Sequence, residues 1–368
     1  MFNRMSIDQI GAIDIEPTSF CNAGCPHCSR HKFGTSDLID ALTLKHLPYE
    51  VFLKLKDDFG NHSKNVKLWM GGILGDALMH PHFVKIWDYG NIHFSDTEVE
   101  TNGGGRTTEF WRDLGKISAE HNKRTNDTNK SKVYFSIDGL EDTNHLYRRK
   151  VDWNKLMDNA QAYINAGGNA YWKFLIFEHN EHQVDEAKQL AKKLGFTKFD
   201  SRYATRHTSL SLIQPEHIEK IIPKKKLNSS TQLSSKVNTV IKDTIVKHKI
   251  STRKKIIECK SIKQKRMYLN SKGRIWPCCW HSEKYDKYDD LREMDPMIKS
   301  YYLEGFNDYF EHSLAEIFSS PLWKEMTDAW DSGNGMPVCQ KKCMSKKWEL
   351  FCNIKDTENT EIFKQANI

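Results

Sequence analysis

The chain has 368 residues, of which 38% are hydrophobic, 28% charged and 11% aromatic, and its formal net charge is +7. That is an ordinary composition for a soluble globular protein, and the length suggests about two domains with real cores. A membrane-spanning chain is excluded because no apolar run approaches the roughly 18 residues that a spanning helix needs.

The opening nine residues lack the apolar stretch of a signal peptide, so a cytoplasmic location is expected. The mild positive charge permits an acidic partner, such as nucleic acid or an anionic peptide, without requiring one. Short apolar runs predict strands at 12–15, 66–70, 98–101, 133–137, 172–177 and 198–202. Amphipathic patterns between them predict helices, including one at 153–166 that ends at Gly167-Gly168. Another starts after Asn180, with Gln183 as its capping-box partner, and stops at Gly195. Alternating β and α units imply a parallel sheet with helices outside. Six strands make an open, partial (β/α)6 TIM-like barrel over residues 1–207.

Residues 208–255 are rich in Lys and Ser and poor in large apolar side chains. They read as a basic linker with one weak helix at 237–247. Residues 256–353 read as a small cysteine-rich domain. It contains a hairpin at 267–276 whose turn is 270–273, and helices near 314–319 and 321–329. Residues 354–368 form a tail.

Nine cysteines fall in two groups, a pattern that suits metal ligation better than a disulfide framework. Cys21, Cys25 and Cys28 form a C-x3-C-x2-C triplet just after the first predicted strand, with Asn22 and Gly24 allowing the loop to curl. Three thiolates on one loop can hold three irons of a cubane cluster and leave the fourth open. The alternative is a zinc site of the same three thiolates with His27. Adjacent His27 and Cys28 would then have to reach one small ion from an extended backbone.

This triplet, placed after the first strand, resembles the signature of the radical S-adenosylmethionine (SAM) superfamily, and the later pattern resembles members with a C-terminal SPASM or shorter twitch domain. The resemblance implies that Cys21, Cys25 and Cys28 bind a [4Fe–4S] cluster whose open iron chelates SAM. One electron then breaks the sulfur–C5′ bond, and the 5′-deoxyadenosyl radical abstracts hydrogen from a substrate. It further implies that Gly71, Gly72 and Asp76 meet the SAM amino group, although Ile73 and Ala77 depart from the common form. By the same likeness Asn102 contacts ribose, and Ser136, with Asp138 nearby, binds the carboxylate. Arg148 is a candidate for that carboxylate or for substrate, and His27 stacks beside adenine. A plain glycine turn and an exposed arginine are the alternatives for the segment 69–76 and for Arg148. The histidine pairs His80/His82 and His179/His182 bring no full ligand set.

In the second group, Cys259, Cys278, Cys339 and Cys343 are expected to hold one closed auxiliary [4Fe–4S] cluster of twitch type, with Cys279 and Cys352 left over. Cys352 is able to replace one of the four, and a four-thiolate zinc site uses the same ligands. The expected activity is hydrogen abstraction from a peptide, protein or small molecule, with a flavodoxin- or ferredoxin-type electron donor. Modification of tRNA or another nucleic acid, or a non-catalytic zinc-structured binding protein, are the alternatives.

Overall fold

The computed structural model describes residues 6–40, 42–204, 257–286, 296–332, 335–343 and 359–362. The expected linker and its helix at 237–247, together with Cys352, lie outside the described residues.

Six parallel strands run in sequential order: β1 (Ala12–Ile15), β2 (Lys67–Met70), β3 (Asp96–Thr101), β4 (Ser131–Ser136), β5 (Asn169–Ile176) and β6 (Lys198–Tyr203). Their helices are α1 (Glu50–Phe59), α2 (Phe83–His93), α3 (Thr108–Thr125), the single turn α4 (Asn144–Tyr147), α5 (Trp153–Asn165) and α6 (Val184–Lys193). α1 packs on α2, α2 on α3 and α3 on α5, so these helices follow one another along one face of an open α/β sheet. The expected hairpin forms as β7 (Arg266–Leu269) and β8 (Ile275–Trp276). β7 lies parallel to β1, so the hairpin extends the main sheet, and β9 (Asn359–Ile362) pairs antiparallel to β6 at the other edge. Gly273, at φ +80°, closes the turn, where its N–H donates to the Asn270 carbonyl.

Parallel strands buried on both faces usually read as continuous apolar runs. These strands alternate instead. Leu68, Val99, Val133, Phe135, Trp172 and Phe174 are buried with the helix residues Trp87, Trp111, Leu114, Leu156 and Tyr163. The intervening positions carry Asp14, Lys67, Trp69, Glu98, Glu100, Lys132, Tyr134 and Lys173, which line the inner face of the partial barrel.

The helix caps follow local chemistry in most places. Thr107 caps α3 through Phe110 N–H, and Asp152 caps α5 through Lys155 N–H at 2.8 Å. The expected capping box at Asn180 and Gln183 is corrected. Asn180 accepts from Phe177 N–H at 2.7 Å and donates to the Asp138 carbonyl at 2.8 Å. Gln183 accepts from Leu140 N–H and donates to Asp142. Both amides hold the loop after β4, and a 3-10 turn at Glu181–Gln183 leads into α6. Among the described residues, no helix is long and apolar enough to cross a membrane.

Candidate functional site

The C-terminal ends of β1 to β4 converge on the cysteine loop. Successive turns shape it: Cys28 N–H donates to the Cys25 carbonyl and His31 N–H to the Cys28 carbonyl. The His31 ring lies 2.8 Å from the Cys25 carbonyl. Gly24 is needed for close approach, because a Cβ there would meet Ser36 Oγ at 2.7 Å. Asn22 and Asn102 exchange amide hydrogen bonds of 2.9 and 3.2 Å, which pins the loop to the end of β3.

All three thiols are free of disulfides. Cys21 Sγ faces Ala23 N–H at 3.4 Å and Asn102 Nδ2 at 3.8 Å, and Arg148 Nη1 lies 3.7 Å from Cys25 Sγ. Burial pushes the Cys21 thiol up to about 12, with Asp76 adding to the shift, and burial likewise raises Cys25. Positive metal centres reverse that preference by favouring the thiolate. N–H donors aimed at cysteine sulfurs are the outer contacts that an iron–sulfur cluster uses, so this donor set fits such a cluster. Among the described residues no three His, Cys, Asp or Glu side chains gather closely enough to ligate a single ion. Cubane thiolates bind separate irons and need no such convergence.

The glycine-rich loop after β2 lies across the cysteine loop. A Cβ on Gly75 would fall 1.8 Å from the Thr18 carbonyl oxygen, one on Gly71 2.1 Å from Trp69 Nε1, and one on Gly72 3.0 Å from the Glu16 side chain. Buried Glu16 receives the N–H groups of Leu74 and Gly75, and Ser271 of the hairpin turn donates to its other oxygen at 3.4 Å. Asp76 N–H donates to the Phe20 carbonyl. The Asp76 carboxylate accepts from Thr101 Oγ1, from Asn102 N and Nδ2, and from Leu78 N, at 2.7–3.1 Å. These four donors give Asp76 an architectural role. Gly71 and Gly72 are likewise accounted for by packing against Trp69 and Glu16.

His27 is buried, with its ring stacked on Phe33 at 4.9 Å and edged by Tyr147. Asn102 sits at the cysteine loop with its amide bonded to Asn22 and Asp76, where it orients the loop. Ser136 donates to Glu100 at 3.1 Å. Asp138 pairs with Arg148 Nε at 2.7 Å and accepts from Leu175 N–H. The pair holds the Arg148 guanidinium charged beside Cys25. His80 bonds the Leu47 carbonyl through Nε2 and accepts His82 N–H through Nδ1. It lines a surface cavity of about 300 Å³ with His46, Tyr49, His82 and Lys85, separate from the cysteine loop. His179 stacks on Phe177, and His182 lies in the 3-10 turn before α6.

The inner face of the sheet supplies residues that motif reading missed. Glu98 is held by Lys67 at 2.7 Å and Lys132 at 3.0 Å, and Glu100 by Lys173 at 2.7 Å. Burial opposes ionisation of both carboxyls, but their lysines outweigh it and hold them below the usual range. The Lys173 ammonium also lies over the Trp69 and Tyr134 rings, at 4.9 and 4.5 Å. Glu100 is deep in the molecule, yet 34% of its side chain is reachable by solvent. The inner face is thus a wet, charge-paired lumen floored by aromatic rings. Charged residues at every second strand position were the available signal.

In the second group burial raises the thiols of Cys259, Cys278 and Cys339; Cys343 adds to the rise at Cys259 and Cys339, and Cys279 and Cys259 add to that at Cys278. His281, unmarked in the sequence reading, lies between two of them. Its Nδ1 is 3.1 Å from Cys278 Sγ and its Nε2 3.3 Å from Cys339 Sγ. Burial lowers its pKa to about 3, so the ring is neutral.

No family model and no curated relative matches the chain. Solved structures do. Streptococcus suis SuiB bound to precursor peptide SuiA aligns over 90% of this chain and 73% of its own, at 13% identity and a TM-score of 0.53. SuiB alone aligns over 85% and 67%, at 13% identity and a TM-score of 0.50. Native anSMEcpe with bound AdoMet aligns over 95% and 91%, at 15% identity and a TM-score of 0.51. The chain has the α/β fold of radical SAM enzymes.

Proposed function

We propose that this chain is a radical SAM enzyme that holds a [4Fe–4S] cluster on Cys21, Cys25 and Cys28 and modifies a peptide or protein. The observation that carries the reading is the placement of three unbridged thiols on the loop after β1, backed by Asn102 and Arg148. When bound with SAM, such a cluster supplies one-electron cleavage and a radical able to take hydrogen from carbon.

The chain's own residues position and shield. Arg148, kept charged by Asp138, is suited to a SAM carboxylate, with Ser136 close by through Glu100. Glu16, Asp76 and Asn102 clamp the glycine-rich loop and the cysteine loop together. The Glu100–Lys173 pair offers an acceptor and a donor to a substrate's polar groups above Trp69 and Tyr134. SuiB, whose structure was solved with a precursor peptide, favours a peptide over a nucleic acid as substrate. Cys259, Cys278, Cys339 and Cys343 are proposed to hold an auxiliary cluster. A small acidic flavodoxin or ferredoxin would supply electrons in a reducing cytoplasm.

The test is direct. Anaerobically reconstituted protein with reductant is expected to convert SAM to methionine and 5′-deoxyadenosine, and Cys25→Ala to abolish that conversion. Wild-type cleavage by the Cys25→Ala protein would refute the reading.

A further inference from the structure

Arg30 is only 4% exposed, and its Nε and Nη1 have no hydrogen-bond partner. No carboxylate among the described residues pairs with it. Two buried guanidinium nitrogens left this way are costly, and a native fold keeps them so only where something answers them. Its place says what does. Arg30 follows Cys28 by two residues on the same loop, and the Ile39 N–H fixes its carbonyl at 3.0 Å. Arg148, beside Cys25, is already paired with Asp138.

A three-thiolate cubane is anionic, and reduction adds a further negative charge. We propose that Arg30 is the counter-cation of that cluster, with its unmet N–H groups donating to cluster or cysteinyl sulfur. This rests on the function proposed above. It goes further in making Arg30 a residue that tunes the cluster's potential and whose cost in the metal-free chain is met only on loading. Charge and N–H donors near an iron–sulfur cluster raise its reduction potential.

Two variants test the role. Arg30→Met removes the charge and keeps the apolar stem, whereas Arg30→Lys keeps the charge. The metal-free Arg30→Met chain is expected to melt no lower than wild type, because an unanswered buried charge has gone. After anaerobic reconstitution, the electron paramagnetic resonance signal that is absent from Cys25→Ala protein is titrated without SAM. Its midpoint is expected to fall in Arg30→Met and to recover in Arg30→Lys. A midpoint unchanged in Arg30→Met, with iron content intact, overturns the proposal. So does an unchanged midpoint accompanied by SAM binding weakened about tenfold or more, which would assign Arg30 to the SAM carboxylate instead. A metal-free Arg30→Met chain that melts well below wild type also overturns it, since the cation would then be structural. Failure of the underlying function is seen separately, as wild-type protein that takes up no iron at Cys21, Cys25 and Cys28.

Discussion

At the scale of residues, the site is held by buried polar groups whose partners come from distant parts of the chain. Asp76 is the clearest case, with four protein donors from the turn after β2 and the end of β3. Asp76→Ala leaves those donors unmet and is expected to cost about 3 kcal/mol in urea unfolding, with iron retention lost in parallel. His80 gives a pH dependence. Burial lowers its pKa from 6.5 to about 4, with nearby His46, His82 and Arg106 adding to the shift and the Nε2–Leu47 carbonyl bond opposing it, while Nδ1 accepts from His82 N–H. The unfolded chain therefore binds the extra proton first. Stability attributable to His80 is complete above pH 6.5 and falls as the pH drops toward 4. His80→Gln is expected to flatten the stability profile across that window, and an identical slope in the variant would contradict the assignment. These roles were not legible beforehand. A carboxylate after a glycine-rich turn looks the same in the sequence whether it meets a ligand or donors from two protein segments. Cys21, Cys25 and Cys28 were legible because their spacing is itself the chemistry.

At the scale of elements, the six strands, the hairpin and helices α5 and α6 were readable because alternation and periodicity are local. The first strand was expected and found at 12–15, and the others shift by at most a few residues at an end. The capping box at Asn180 failed because long-range partners on the loop after β4 outcompeted local capping. The charged lumen went unread because Glu98, Lys132 and Lys173 gain meaning only when adjacent strands come into register. Among the elements, the loop after β2 is the most exacting. At Gly75 a methyl group would strike backbone, the Thr18 carbonyl oxygen, at 1.8 Å, whereas at Gly72 its nearest neighbour is the Glu16 side chain at 3.0 Å. Gly75→Ala is expected to lift this loop from the cysteine loop and to abolish cluster assembly, measured as iron per chain. Gly72→Ala is expected to retain at least part of it. Equal iron content in both would contradict the packing account.

At the scale of the whole molecule, the C-terminal cysteine segment is built into the barrel. β7 pairs with β1, Ser271 reaches Glu16, and Asp58 of α1 receives the Tyr309 hydroxyl and Leu314 N–H. Lys54 donates to the carbonyls of Tyr309 and His312. An auxiliary cluster on Cys259, Cys278, Cys339 and Cys343 would therefore share one scaffold with the first without sharing its ligands. Cys343→Ser is expected to remove about half the iron and leave the first cluster's signal in place. The central claim is that the thiolates of Cys21, Cys25 and Cys28 leave one iron for SAM. Electron–nuclear double resonance on reduced protein with SAM labelled with ¹⁵N at its amino group tests it most directly. The account predicts nitrogen coupling to the cluster in wild type and none in Cys25→Ala. A fully loaded N-terminal cluster that shows no such coupling would contradict it.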